Sequence, residues 1–289
     1  MPREPQQSAC FGEMTAKAAL WARTRPRRID GSPTVRTISA LAALVVVAGG
    51  QAAHVRRRYG EAPPGVPDID VTVEPSGVGA QGGRPVEVAV FGDSSVAGVG
   101  VHDIEEALPV QLAQRVSDMS GRPVHVVGYG VSGATTRDVL VHQVQRAGQG
   151  HDVSVLVVGT NDVTHLTPLA ALARTTSELF SALTGEGAPA VVSSLPEIRA
   201  MRVLPNPLRA AAWAYARLVR RVQLRAAERN DLVHLVDVCR AVGREFIGGG
   251  PYMSSDLFHP SAAGYGRIAD TLAPAVVTAL RTHQTGVVS

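Results

Sequence analysis

The sequence predicts an α/β domain of three layers, with helices on both faces of a five-stranded parallel sheet. Three observations carry this reading. Beyond Pro85, short runs of mostly β-branched residues recur at 86–91, 124–129, 153–158, 190–194 and 232–236. The runs are apolar at nearly successive positions rather than alternate ones, as in strands buried on both faces. Helical segments fall between them, near 108–120, 136–149, 168–184 and 207–229, and a last one covers 261–283. Parallel strands need such crossovers, so alternation of the two patterns selects a three-layer arrangement.

Two segments precede this body. Residues 1–53 hold seven of the 28 basic residues and three of the 25 acidic ones, which leaves 21 basic and 22 acidic for the rest. The formal charge of +3 therefore belongs to the tail. The remainder offers no basic surface for nucleic acid, and an aromatic content of 4% offers few stacking platforms. Within the tail, "TISALAALVVVAGGQAA" (37–53) carries no charge, and its apolar centre, 38–48, has the length of a signal-peptide core rather than a full span. Small residues ending in Ala52 and Ala53 suit cleavage there, while "HVRRRYG" just beyond resists translocation. The expectation is export, either secreted or tethered to a membrane through this segment. Residues 54–85, rich in Pro and Gly without a helical period, read as a linker to a catalytic domain over 86–289. The two cysteines, Cys10 and Cys239, lie on opposite sides of the apolar segment, which argues against a disulfide and against a Cys-x-x-Cys zinc site.

Parallel sheets place their sites at the carboxyl ends of the strands. Four segments there stand out: "GDSS" (92–95), "GVSGATT" (130–136), "GTND" (159–162) and, after the fifth strand, "DLFHPSAAGYG" (256–266). Together they supply a hydroxyl, small residues with free backbone amides, a side-chain amide and an Asp and His three apart. Acyl transfer uses that set. A serine hydroxyl needs a base to take its proton, an imidazole is suited to do so, and a carboxylate holds the imidazole in one tautomer. Asp256 and His259 can point the same way from one helical turn or a tight loop. The amides near Ser94 and Gly133 and the side chain of Asn161 can supply donors for the developing oxyanion.

These ordered blocks resemble the SGNH or GDSL hydrolases, over about residues 86–280. The resemblance implies a flavodoxin-like α/β/α fold and a serine esterase or lipase that needs no metal or organic cofactor. It implies Ser94 as nucleophile and Asp256 and His259 as acid and base. It also implies the Ser94 amide, Gly133 and Asn161 as oxyanion donors. The substrate would be a small-molecule, lipid or acetylated-glycan ester. The chain departs from the family pattern at Ser95, where leucine is common, and at Gly128, where the second block usually has asparagine.

Other readings of the same residues exist. Ser94 can cap a helix, Ser95 or Ser132 can be the nucleophile, and Asn161 and Asp162 can cap a turn. Asp237 follows the fifth strand and competes with Asp256 as the orienting acid. His102, His165 and His234 lack a partner at comparable spacing. The segment 195–209, with three arginines and three prolines, can wall the site and attract an anionic group. Two other classes of function fit the chain: a non-catalytic surface binding protein, and a metal-dependent phosphoesterase with Asp93, Asp162, Asp256 and His259 as ligands. A Gly-x-Ser-x-Gly elbow and a P-loop are both absent.

Overall fold

The computed structural model describes residues 46–54, 65–66, 68–77, 83–148, 150–185, 187–248 and 250–286. The chain divides into two units, Met1–Gly60 with Leu204–Ala211, and Glu61–Val203 with Ala212–Ser289. In the first, residues 46–54 are helical, and the Gln51 side chain donates to the Asn206 carbonyl at 2.7 Å and accepts from the Leu208 amide at 3.2 Å. The larger part of the expected signal or anchor segment, 37–45, lies outside the described residues, as do Cys10 and parts of the expected linker. Among the described residues, no helix is long and apolar enough to cross a membrane.

The second unit holds a sheet of six strands: β1 (Asp70–Val73), β2 (Val86–Gly92), β3 (Val124–Gly128), β4 (Val153–Val157), β5 (Ala190–Ser193) and β6 (Val233–Val236). Their order is β1-β3-β2-β4-β5-β6. The strands β2 to β6 are parallel, as the sequence predicts, and their order is that of flavodoxin-like sheets. The sixth strand corrects the expected number. β1 lies inside the stretch that reads as linker and pairs antiparallel with β3, with Asp70 opposite Val127 and Val73 opposite Val124. It escapes detection because an edge strand solvated on one face has no continuous apolar run. Its valines are half-buried, and Asp70 and Thr72 are exposed.

The helices are α1 (Leu108–Ser120), α2 (Thr136–Asp138), α3 (Val144–Ala147), α4 (Thr160–Thr164), α5 (Leu169–Leu183), α6 (Leu208–Ala227), α7 (Val238–Ile247) and α8 (Ala262–Gly286). The single helix expected over 136–149 is α2 and α3 joined by a π-helical turn, Val139–Gln143. The pleat of β2 explains the layers. Val86, Val88 and Val90 share a core with Leu108 and Leu112 of α1 and Leu272 of α8. Ala89 and Phe91 point the other way, into a core with Leu179, Phe180 and Leu183 of α5. Each of these buried leucines contributes roughly 1.5–3 kcal/mol through removal of apolar surface from water. The two cores fix the sheet from both sides, so its carboxyl edge is a rigid platform for the loops that follow β2, β3 and β4.

Candidate active site

The first loop begins where β2 ends. A Cβ on Gly92 would stand 2.1 Å from the Val157 carbonyl oxygen, and one on Gly130 would stand 2.4 Å from the Ala97 nitrogen. Only glycine lets these backbones approach so closely. Beyond Gly92 the chain turns tightly: the Val96 and Ala97 amides both donate to the Asp93 carbonyl at 3.1 Å, and the Ser95 amide donates to Asp93 Oδ1 at 3.0 Å. Ser94 sits within this turn and does not cap a helix, since residues 94–100 are a run of turns and α1 starts only at Leu108. Complete burial pushes the Asp93 carboxyl up to about 6, against the lowering effect of the Ser95 amide and of nearby His259.

His259 comes to Ser94 from the far end of the chain. Its Nε2 lies 3.0 Å from Ser94 Oγ, and its Nδ1 lies 2.5 Å from Asp256 Oδ2. The other Asp256 oxygen accepts from the Ser254 hydroxyl at 2.6 Å and from the Phe258 and His259 amides at 2.8 and 2.9 Å. Burial alone would raise the Asp256 carboxyl, but these hydrogen bonds, led by that of His259, outweigh it and hold the group far below its ordinary range. Asp256 is thus a carboxylate whose negative charge is available to the imidazole. The tight turn between acid and base is closed by Leu257 at φ 58°, a left-handed conformation that a leucine seldom adopts. Strain of this kind persists where the surroundings over-determine it, here by the hydrogen bonds on Asp256.

Two further loops adjoin. Gly133 adopts φ 86° in the loop after β3. Asn161, in α4 after β4, donates from its side chain to the Ala134 carbonyl at 2.9 Å. Buried Asp162 accepts from both the amide and the hydroxyl of Thr136, at 2.9 and 2.7 Å. The loop after β3 and the helix after β4 are therefore tied together by two consecutive residues.

The competing assignments separate on geometry. His259 faces Ser94, and Asp237 is elsewhere: it caps α7 by accepting from the Arg240 amide at 3.1 Å, and it pairs with Arg220. His102 and His165 are exposed, and His234 is half-buried in β6. In the segment after β5, Arg199 is bound by Glu197 and lies over the Trp213 ring. Pro196, Glu197, Ala200 and Met201 do form part of the wall of the cavity at Ser94. Among the described residues, no group of three or more His, Cys, Asp or Glu side chains is placed to hold a metal ion. The acids named for a metal site instead accept hydrogen bonds from Ser95, Thr136 and His259.

Sequence reasoning overlooks two buried glutamines. Gln143, in the π-helical turn, accepts from the Gly92 amide at 2.9 Å and donates to the Gly92 carbonyl at 2.8 Å. Gln223 of α6 accepts from the Leu195 amide at 2.9 Å and donates to the Val158 carbonyl at 3.0 Å. Each satisfies backbone at the carboxyl end of a strand. Their signal is a glutamine on the inward face of an apolar helix, where Gln223 follows Ala216 and Val219.

The GDSL-like Lipase/Acylhydrolase family matches residues 90–267. The GDSL-like esterase Rv1075c of Mycobacterium tuberculosis is 29% identical over 245 residues, covering 80% of this chain and 76% of its own. Among solved structures, TesA has a TM-score of 0.54 at 23% identity, covering 67% of this chain and 99% of its own. The lipase/acylhydrolase from Enterococcus faecalis has a TM-score of 0.53 at 17% identity, covering 66% and 95%.

Proposed function

Because the chain belongs to the GDSL-like lipase/acylhydrolase family and is a carboxylic ester hydrolase, we propose that it works through a covalent acyl-enzyme on Ser94, with His259 as base and Asp256 as its orienting acid. The observation that carries this reading is the continuous relay from Ser94 Oγ through His259 to Asp256, at 3.0 and 2.5 Å. Asp256 accepts a hydrogen bond from Nδ1–H and so fixes the tautomer in which Nε2 presents a lone pair to Ser94. Ser94 Oγ attacks the ester carbonyl carbon as its proton passes to Nε2, and the adjacent carboxylate stabilises the imidazolium. The carbonyl electrons move onto oxygen, where the amides of Ser94 and Gly133 and the spare N–H of Asn161 supply donors. Collapse expels the alcohol with the Nε2 proton. Water then repeats the sequence on the acyl-enzyme and releases the acid. The substrate is a small-molecule ester, and the reaction uses these side chains, the two backbone amides and water.

Export belongs to the same reading and is supported by the uncharged apolar run at 37–53. The test of the chemistry is turnover of p-nitrophenyl butyrate together with labelling by a fluorophosphonate. Ser94→Ala abolishes the label, and Ser94→Ala and His259→Ala each lower kcat by roughly 10⁴ to 10⁶-fold with the melting temperature retained. Parental turnover in either folded variant overturns the assignment.

A further inference from the structure

A cavity of about 60 Å³ opens at Ser94 and His259 and is lined by residues at the carboxyl ends of β4 and β5 and on α7 and α8. Close-packed interiors leave few voids, and this one touches the candidate nucleophile. Its wall includes Met201, Val242, Phe246 and Ile268, all buried, of which the last three belong to the main core. Several polar side chains of the wall are already engaged. Ser193 Oγ donates to the Ser194 carbonyl at 3.0 Å, Ser194 Oγ donates to Asp237 at 3.2 Å, and the Glu197 carboxylate takes three bonds from Arg199, one from its amide and two from its guanidinium. A polar group entering beside them would lose its water without gaining a partner, which opposes its entry.

We propose that this cavity is the acyl pocket and that the enzyme acts on esters of short aliphatic acids, its alcohol side lying outside the cavity. The proposal rests on Ser94 being the nucleophile. An apolar cavity of ~150 Å³ admits benzene, so the smaller space here suits an acyl group of roughly two to four carbons and not a fatty acyl chain. The substrate class is thus O-acetyl and other short-chain esters rather than long-chain lipids. Met201 and Phe246 set the limit, since each contributes a long or broad apolar side chain to the wall.

The experiment is a kcat/KM profile of the full chain over p-nitrophenyl acetate, butyrate, hexanoate and octanoate. The same profile is taken for Met201→Ala, Phe246→Ala and Ser94→Ala. The expected result is a fall of about 100-fold or more from butyrate to octanoate in the parent, because misfit methylenes in an apolar pocket are each penalised severalfold or more. Met201→Ala or Phe246→Ala raises the ratio of hexanoate to acetate by about tenfold. The parental profile keeps the test open even where Phe246→Ala does not fold. Ser94-dependent turnover of octanoate equal to that of butyrate overturns the pocket while the nucleophile stands. Absence of Ser94-dependent turnover on all four esters overturns the nucleophile itself, and the pocket with it.

Discussion

Asn161 gives one of its two side-chain hydrogens to the Ala134 carbonyl, and this fixes the amide while leaving the second hydrogen free to meet a developing charge. If that hydrogen acts only as the oxyanion forms, Asn161→Ala lowers kcat by about 100 to 1,000-fold and changes KM little. A turn cap predicts the opposite pattern, a lowered melting temperature with turnover kept, so measuring both quantities on the one variant decides the role. Asn161→Asp is expected to be at least as inactive, since a carboxylate would face both the Ala134 carbonyl and the oxyanion. At this scale, the residues that meet at the site were readable because each is polar among small residues at a strand end. Leu257 was not, as nothing in a leucine announces a left-handed turn. Asp256 and Asp237 look alike in sequence, each an acid beyond the fifth strand. The spacing of Asp256 three residues before His259 favours it in sequence, and the tertiary partners separate the two, His259 for the one and Arg220 for the other.

Among the elements, the tie between α4 and the loop after β3 decides whether the donors stay aligned. Thr136 is buried and gives both its amide and its hydroxyl to Asp162. Asp162→Ala leaves those two donors without a partner, at a cost of about 1–3 kcal/mol in unfolding free energy. It also lowers kcat, because Gly133 and Asn161 lose their common anchor. Asp162→Asn, which keeps an acceptor oxygen, recovers part of both losses. Urea unfolding and kcat on the two variants test this, and a stability loss with unchanged kcat would assign Asp162 to packing alone. The strands and long helices of this scaffold were legible because burial on both faces writes a continuous apolar run and crossovers write a helical period. The π-helical turn was not, since its purpose is to bring Gln143 to the Gly92 backbone, a contact between residues 51 apart in sequence. Gln223 makes the matching contact from α6, 65 residues from Val158. Polar side chains that satisfy distant backbone carry no local pattern, and so they surface only with the fold.

For the molecule as a whole, the sheet's antiparallel edge is where sequence and structure part most, and where pH reaches the fold. His125 of β3 lies between carboxylates on the two neighbouring strands, with Nδ1 2.6 Å from Glu87 of β2 and Nε2 2.8 Å from Asp70 of β1. The hydrogen bonds to Glu87 and Asp70, in that order, raise the imidazole above its ordinary value and outweigh its partial burial. The three residues therefore clamp β1 to the parallel strands when His125 is charged. None of this is visible before the register is known, because Asp70 stands in a segment whose composition reads as linker. A group whose folded pKa is raised contributes stability that is fully present below the unfolded value, near 6.5 for histidine, and that is lost as pH rises through the folded value. The melting temperature of the parent is accordingly expected to fall, relative to that of His125→Gln, as pH rises from about 6 to about 9. Comparing the two proteins at each pH removes the contribution of every other titrating group they share, including buried Asp93. The difference should also shrink in high salt, since all three side chains keep some exposure and their attraction is screened. Parallel melting curves for parent and variant across that range would mean that β1 is held by its backbone ladder and its two valines, without help from the charge on His125.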